Sequence, residues 1–354
     1  MIELIGDTYK RSNATGEGHL YYVGISTNGI LGAIDASEMP DTYGTSFEQT
    51  RSFLIDGWHC MNNVEGDLSK RGALYQIDAV LHFQQYIVPK LTKNDVVVFI
   101  NQLKENQTKK AQMILQNIST DCFNKKSHIC YIGFSNHSNE KNENNQKKSG
   151  ESNVYSFWNQ ICTANTALFL PLPRCTLLPN YIGYDGLMMK LCLNILTTCS
   201  QILAGMVYTN HMINTGPTNA KIYDRCLRLI RRFSQCDVRN SETALLRSIW
   251  NVDVVTEEIR NRTQSEHIKH AYPPSVTPSV TSTGESDAKK EKNKNEGDDQ
   301  GDGGVALEYS ILPLAIILGV KGESYSIEKA KELLKAEPNV RLALEAVTKI
   351  EHKQ

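Results

Sequence analysis

His19-Leu20-Tyr21-Tyr22-Val23 runs into Gly24-Ile25-Ser26-Thr27-Asn28-Gly29, and then into Ile30 to Glu38. The first five residues form a short apolar run that stops at a glycine, which predicts a buried strand. Gly29–Glu38 carries Ile30, Leu31 and Ile34 at helical offsets, which predicts a helix. A glycine-flanked loop between strand and helix turns free N–H groups and the helix dipole toward one point, a natural seat for an anion. The same two glycines are also what a tight strand-to-helix turn needs with no ligand at all.

The pattern repeats downstream. Ser52–Ile55, Asp95–Ile100 (DVVVFI), His128–Gly133 and Thr166–Leu170 read as strands, with helices expected at Ile77–Leu91 and Lys109–Ile118. The DVVVFI run is nearly continuous and β-branched, as expected for a strand covered on both faces. Alternating strands and helices predict an α/β fold with a flavodoxin-like, three-layer parallel sheet. From Gly186 the pattern turns helical, with helices expected over Leu187–Asn210, Asn219–Phe233, Ser241–Trp250 (Ser241 as N-cap), Ser310–Leu318, Ser326–Ala336 and Asn339–Ile350. Two polar stretches, about 136–153 and 272–304, have the composition of disordered inserts.

Bulk properties narrow the function. The 354 residues carry 38 Lys and Arg against 39 Asp and Glu, a net charge of −1. That balance argues against a nucleic-acid partner or a membrane-surface patch. The N-terminus lacks the apolar run of a signal peptide, and the apolar stretch Ile311–Val320 is too short to span a bilayer. The nine cysteines form no CxxC pair, so reduced thiols, no metal site and no cofactor are expected. The cytoplasm, the nucleus or both are the expected locations.

Gly18–Gly44 lines up without a gap on the sugar-binding segment of the N-acetylmuramic acid 6-phosphate etherase family, of the pattern GRLIYxGAGTSGRLGxLDASECPPTYG. It also resembles the glucokinase regulatory protein family, specifically its second SIS (sugar isomerase) domain. Ser52–Gly57, Asn94–Ile100, Lys190–Asn219 (KLCLNILTTCSQILAGMVYTNHMINTGPTN) and the following AKIYDRCLRLIRRFS and ALLRSIW continue the likeness, and the later blocks point to the regulator. The resemblance implies an SIS domain over about residues 1–198 and a helical lid over about 199–354.

What the resemblance implies for chemistry depends on which residues remain. Of the etherase's two acid–base glutamates, one matches Glu38, and the other falls on Leu68, beside Asp67. The family's GTSGR loop becomes Ser26-Thr27-Asn28-Gly29-Ile30, and its second cradle becomes Asn101–Gln107, with Leu103 in place of a serine. Glu38 and Lys190 survive. The regulator's second domain reaches over a sugar phosphate with the lysine that Lys190 matches. The resemblance therefore implies hexose-phosphate binding by Ser26, Thr27, Asn28, Glu38 and Lys190. It implies no catalytic residue, unless Glu38 acts as in the etherase. It further implies a glucokinase or hexokinase-type partner inhibited in a fructose-phosphate-dependent way, and a second SIS domain supplied by a homodimer or a missing N-terminal half. The alternative is a carbon–oxygen lyase of the etherase type. Plain alternatives stand beside two of these roles: Lys190 as an ordinary surface lysine, and Glu38 as a partner for backbone or helix dipole.

Overall fold

The computed structural model describes residues 1–61, 67–69, 72–101, 109–135, 168–173, 182–271, 310–337 and 339–351. The expected inserts, the second cradle beyond Asn101 and Trp158 lie outside the described residues. The chain divides into two compact units, residues 1–215 with 332–354, and residues 216–331.

The first unit opens with helix α1 (Ile2–Thr15), followed by β1 (Leu20–Gly24), α2 (Ser26–Tyr43) and β2 (Thr50–Leu54). Next come β3 (Val96–Asn101), α3 (Lys109–Asn124), β4 (His128–Ser135), β5 (Leu168–Pro173) and the long α4 (Ile182–Leu203). The five strands are all parallel, in the order β2-β1-β3-β4-β5. Strand order therefore reverses around β1, and the loop that follows it opens at the crevice where such sheets bind ligands. Alternate residues of β1 serve opposite layers. Tyr21 and Val23 join Phe53, Phe83, Val97, Phe99, Leu115 and Ile118 in one buried cluster. Tyr22 faces the layer built from α1, α2 and α4.

Several elements depart from the sequence expectation for identifiable reasons. Over Ile77–Leu91 the backbone forms a π-helix (Ala79–Ile87), whose first N–H groups at Val80 and Leu81 are taken by Asp78 at 2.8 and 2.6 Å. The helix expected to reach Asn210 ends at Leu203. Gly205, at φ 83°, turns the chain into a small hairpin of β6 (Val207–Tyr208) and β7 (His211–Met212). Its Met206 and Val207 are apolar enough to mimic a continuing helix. Over Asp185–Leu203, α4 is long and apolar enough to cross a bilayer. It packs on α1 and α2 and carries a lysine paired with Glu38.

The second unit is helical: α5 (Ala220–Ser234), α6 (Val238–Trp250), α7 (Glu257–Arg260), α8 (Gln264–Ala271), α9 (Ile311–Lys321) and the start of α10 (Ile327–Ala336), whose remainder with α11 (Val340–Glu351) belongs to the first unit. Ile311 to Leu318 are all buried, so α9 is the apolar axis on which α5 and α6 pack. Asp237, not Ser241, caps α6, accepting the Asn240 N–H at 2.7 Å. Trp250 stacks on His270 at 3.7 Å, beneath the Arg262 guanidinium.

Candidate functional site

The turn between β1 and α2 is shaped by contact between two glycines. A Cβ at Gly24 would lie 2.5 Å from Gly29 Cα, and one at Gly29 would lie 2.9 Å from the Gly24 carbonyl carbon. Only hydrogen fits at either place, so strand end and helix start touch backbone to backbone. Ser26 is held at φ 54°, the left-handed region that non-glycine residues seldom adopt. Ser26 and Thr27 are exposed, while Asn28 is buried, its Nδ2 without a hydrogen bond among the described residues. Ile25 stands at the N-cap and supplies no side-chain acceptor, and the first turn carries no acid. The end of α2 is thus open to an anion, though short of donors.

A second grouping lies farther along α2. Asp35 and Glu38, three residues apart, share a helix face, and Lys190 of α4 meets them. Lys190 Nζ is 2.9 Å from Glu38 Oε2 and 3.8 Å from Asp35 Oδ1. Exposure falls steeply through the cluster: the Glu38 side chain is 50% exposed, Lys190 23% and Asp35 0%. Tyr22 Oη donates to Asp35 Oδ2 at 3.0 Å. The Thr197 hydroxyl nearby gives its proton to the Leu193 carbonyl at 3.0 Å. Burial pushes the Asp35 carboxyl up to about 6, against the pull of Lys190 and the Tyr22 hydrogen bond, with the charge of Glu38 adding to the rise.

The five residues singled out in the sequence therefore fall into two groups. At about 1.5 Å of rise per residue, Glu38 lies roughly 18 Å along α2 from Ser26. Glu38 and Lys190, 152 positions apart in sequence, are brought into contact. Ser26, Thr27 and Asn28 are not beside them. Asp35 was missed by sequence reasoning. The available signal was its spacing from Glu38. Asp67, the other carboxylate weighed, is exposed and accepts the Ser69 N–H at 2.8 Å, while Leu68 next to it offers no titratable group. Among the described residues, no three metal-ligating side chains gather at one point.

Lys190 stands at the edge of an apolar stripe. Leu187, Leu191 and Ile195, spaced four apart on α4, are all exposed, as is Ile34 on α2. Lys190, paired with Glu38, thus sets charge beside this apolar stripe.

Comparison with known proteins gives this geometry a context. Residues 7–158 match the domain model of the glucokinase regulatory protein's second SIS domain. Residues 209–292 match the C-terminal lid domain of glucokinase regulatory protein. The chain is 26% identical over 275 residues to the glucokinase regulatory protein of Xenopus laevis and 27% identical over 274 residues to that of Homo sapiens. Each alignment covers 72% of this chain but 38% of the relative, so the chain spans well under half the length of the regulators it matches. It is also 28% identical over 254 residues to the N-acetylmuramic acid 6-phosphate etherase of Oceanobacillus iheyensis, covering 72% of this chain and 75% of that protein. Two domain models taken from one protein, met in order along the sequence, identify this chain as carrying an SIS domain and a C-terminal lid domain of the glucokinase regulatory protein type.

Proposed function

We propose that the protein is a sugar-phosphate-binding regulator that inhibits a glucokinase or hexokinase-type enzyme in a fructose-phosphate-dependent way. One observation carries this reading: Lys190 sits charged and ion-paired at the rim of an exposed apolar face. A cation placed there is suited to meet a phosphate held by a second SIS domain, while Leu187, Leu191 and Ile195 bury against that domain. Glu38 holds the lysine in place until an anion competes for it. The ligand then favours one arrangement of the paired domains, and that arrangement sets kinase affinity. The division into an SIS domain to about residue 198 and a lid beyond it belongs to the same reading, as does work in the cytoplasm, the nucleus or both.

Thermal-shift titration with fructose 6-phosphate and fructose 1-phosphate tests binding, since a ligand of the native state raises its melting temperature. The titration is run alone and with an added N-terminal SIS domain. We expect a shift that Lys190→Met removes, and kinase inhibition that follows the same dependence. No shift in either arrangement rejects the reading.

A second reading, carbon–oxygen lyase activity, is favoured by one observation. Asp35, with its carboxyl raised to about 6, lies on the same helix face as Glu38. Two carboxyls with different proton affinities are what acid–base elimination uses. Release of lactate from N-acetylmuramic acid 6-phosphate, abolished in Glu38→Gln and Asp35→Asn, would establish it in place of the regulator.

A further inference from the structure

The second unit holds a charged groove that the proposed function does not use. Between α5 and α6 a cleft of about 440 Å³ is lined by Asp224, Leu227, Arg228, Arg231, Val238 and Ser241. Two of its lining side chains are cationic and one is acidic. Arg228 and Arg231, one turn apart on α5, are exposed, and among the described residues neither is in an ion pair. Arg228 Nε reaches only the backbone oxygen of Asp224, at 3.4 Å. The Asp224 carboxylate takes a hydrogen bond from the Gln264 amide instead, at 3.4 Å. Lys221, Arg225 and Arg232 of α5 and Arg239 of α6 are exposed as well, against the exposed acids Asp224 and Asp237. Asp237 is engaged in capping α6. The floor is apolar: Leu227 is half-buried, and Val238 is 60% exposed at the first position of α6.

We propose that this groove docks an acidic segment of a partner protein, with one apolar side chain seated on Leu227 and Val238 between carboxylates paired to Arg228 and Arg231. Guanidinium groups bind carboxylates through two parallel hydrogen bonds, and an unpaired arginine loses nothing from its own fold on accepting one. The concentration of positive charge in a chain of net charge −1 gives the complementarity its sign. A nucleic-acid backbone fits less well, because Asp224 stands in the wall and the floor is apolar. A bilayer fits less well too, because the apolar face of α5 (Tyr223, Cys226, Leu229 and Ile230) is buried within the unit. The inference is independent of the sugar-phosphate reading.

Fluorescence anisotropy on the full chain tests it. The probe is a labelled short peptide with one leucine between two pairs of glutamates. We expect saturable binding that weakens with added salt. Arg228→Glu combined with Arg231→Glu should weaken it about tenfold or more. Replacing the peptide leucine with serine should also weaken it. Arg231→Gln alone, a change at an exposed residue outside any ion pair among the described residues, should keep the fold and still lower affinity, with circular dichroism and melting temperature unchanged. Three results would overturn the proposal: no binding of the peptide, equal binding by wild type and the arginine variants, or tighter binding of oligothymidylate or phosphatidylserine vesicles than of the peptide.

Discussion

Two buried aspartates in the same unit meet opposite fates. Asp95, at the start of β3, accepts four hydrogen bonds: from the His19 N–H at 3.0 Å, His19 Nδ1 at 2.8 Å, the Thr92 N–H at 2.7 Å and the Thr92 hydroxyl at 2.9 Å. Asp35 receives one from Tyr22, with a lysine 3.8 Å away. Burial raises the proton affinity of both. At Asp95 the bonds from His19 and Thr92 outweigh it and hold the carboxyl below the usual range. At Asp35 burial wins. Asp95 fastens the beginning of β1 to the beginning of β3, so its donors are supplied in full. Asp35 is kept short of donors beside a charge that can be drawn away, the condition expected of a carboxylate that participates in something other than folding.

The contrast can be broken most strongly at Asp95. Asp95→Ala leaves two backbone N–H groups without acceptors and should cost about 3 kcal/mol in urea unfolding at neutral pH. Because the folded pKa is depressed, this contribution is present above the unfolded value and is lost as pH falls through the folded one.

Asp35 should behave in the opposite sense. Its folded pKa of about 6 exceeds the unfolded value, so the native state holds the extra proton, and stability falls as pH rises from about 4 to about 6. Asp35→Asn should therefore raise stability at pH 7, by about 3 kcal/mol at most, and flatten the dependence of the urea midpoint across that window. A loss of stability at pH 7 would mean that the carboxylate is better satisfied than the geometry allows.

The smallest effect belongs to Glu38. Its pair with Lys190 is half-exposed, so Glu38→Gln should change stability by no more than about 0.5 kcal/mol. Removing that neighbouring charge should move the Asp35 transition toward lower pH, visible as a displaced inflection in melting temperature against pH.

Much of the sheet was legible because its strands are nearly unbroken runs of apolar, often β-branched residues, such as Val96 to Ile100. The first helix was not. The buried positions of α1 are Ile5, Gly6, Thr8 and Tyr9, and two of these carry no apolar signal. Gly6 is buried because Leu203 comes against it, where a Cβ would lie 3.0 Å from the Leu203 side chain, a fact of tertiary packing. Glu38 and Lys190 were each named through resemblance, but their pairing was not legible, because nothing local joins residues on different helices. The spacing of Asp35 from Glu38 puts both on one face of α2, but the full burial of Asp35 is a matter of tertiary packing. The arginines of the α5–α6 groove stand in plain sight in the sequence, but the groove itself depends on how the two helices meet.

The seat of Gly24 on Gly29 separates the course of the backbone from whatever decorates it. Because no side chain lies between the two, hydroxyls and a guanidinium can disappear from positions around the bend without altering its curvature. Asn28→Ser with Ile30→Arg would accordingly set a hydroxyl and a guanidinium beside the bend without disturbing its backbone contact.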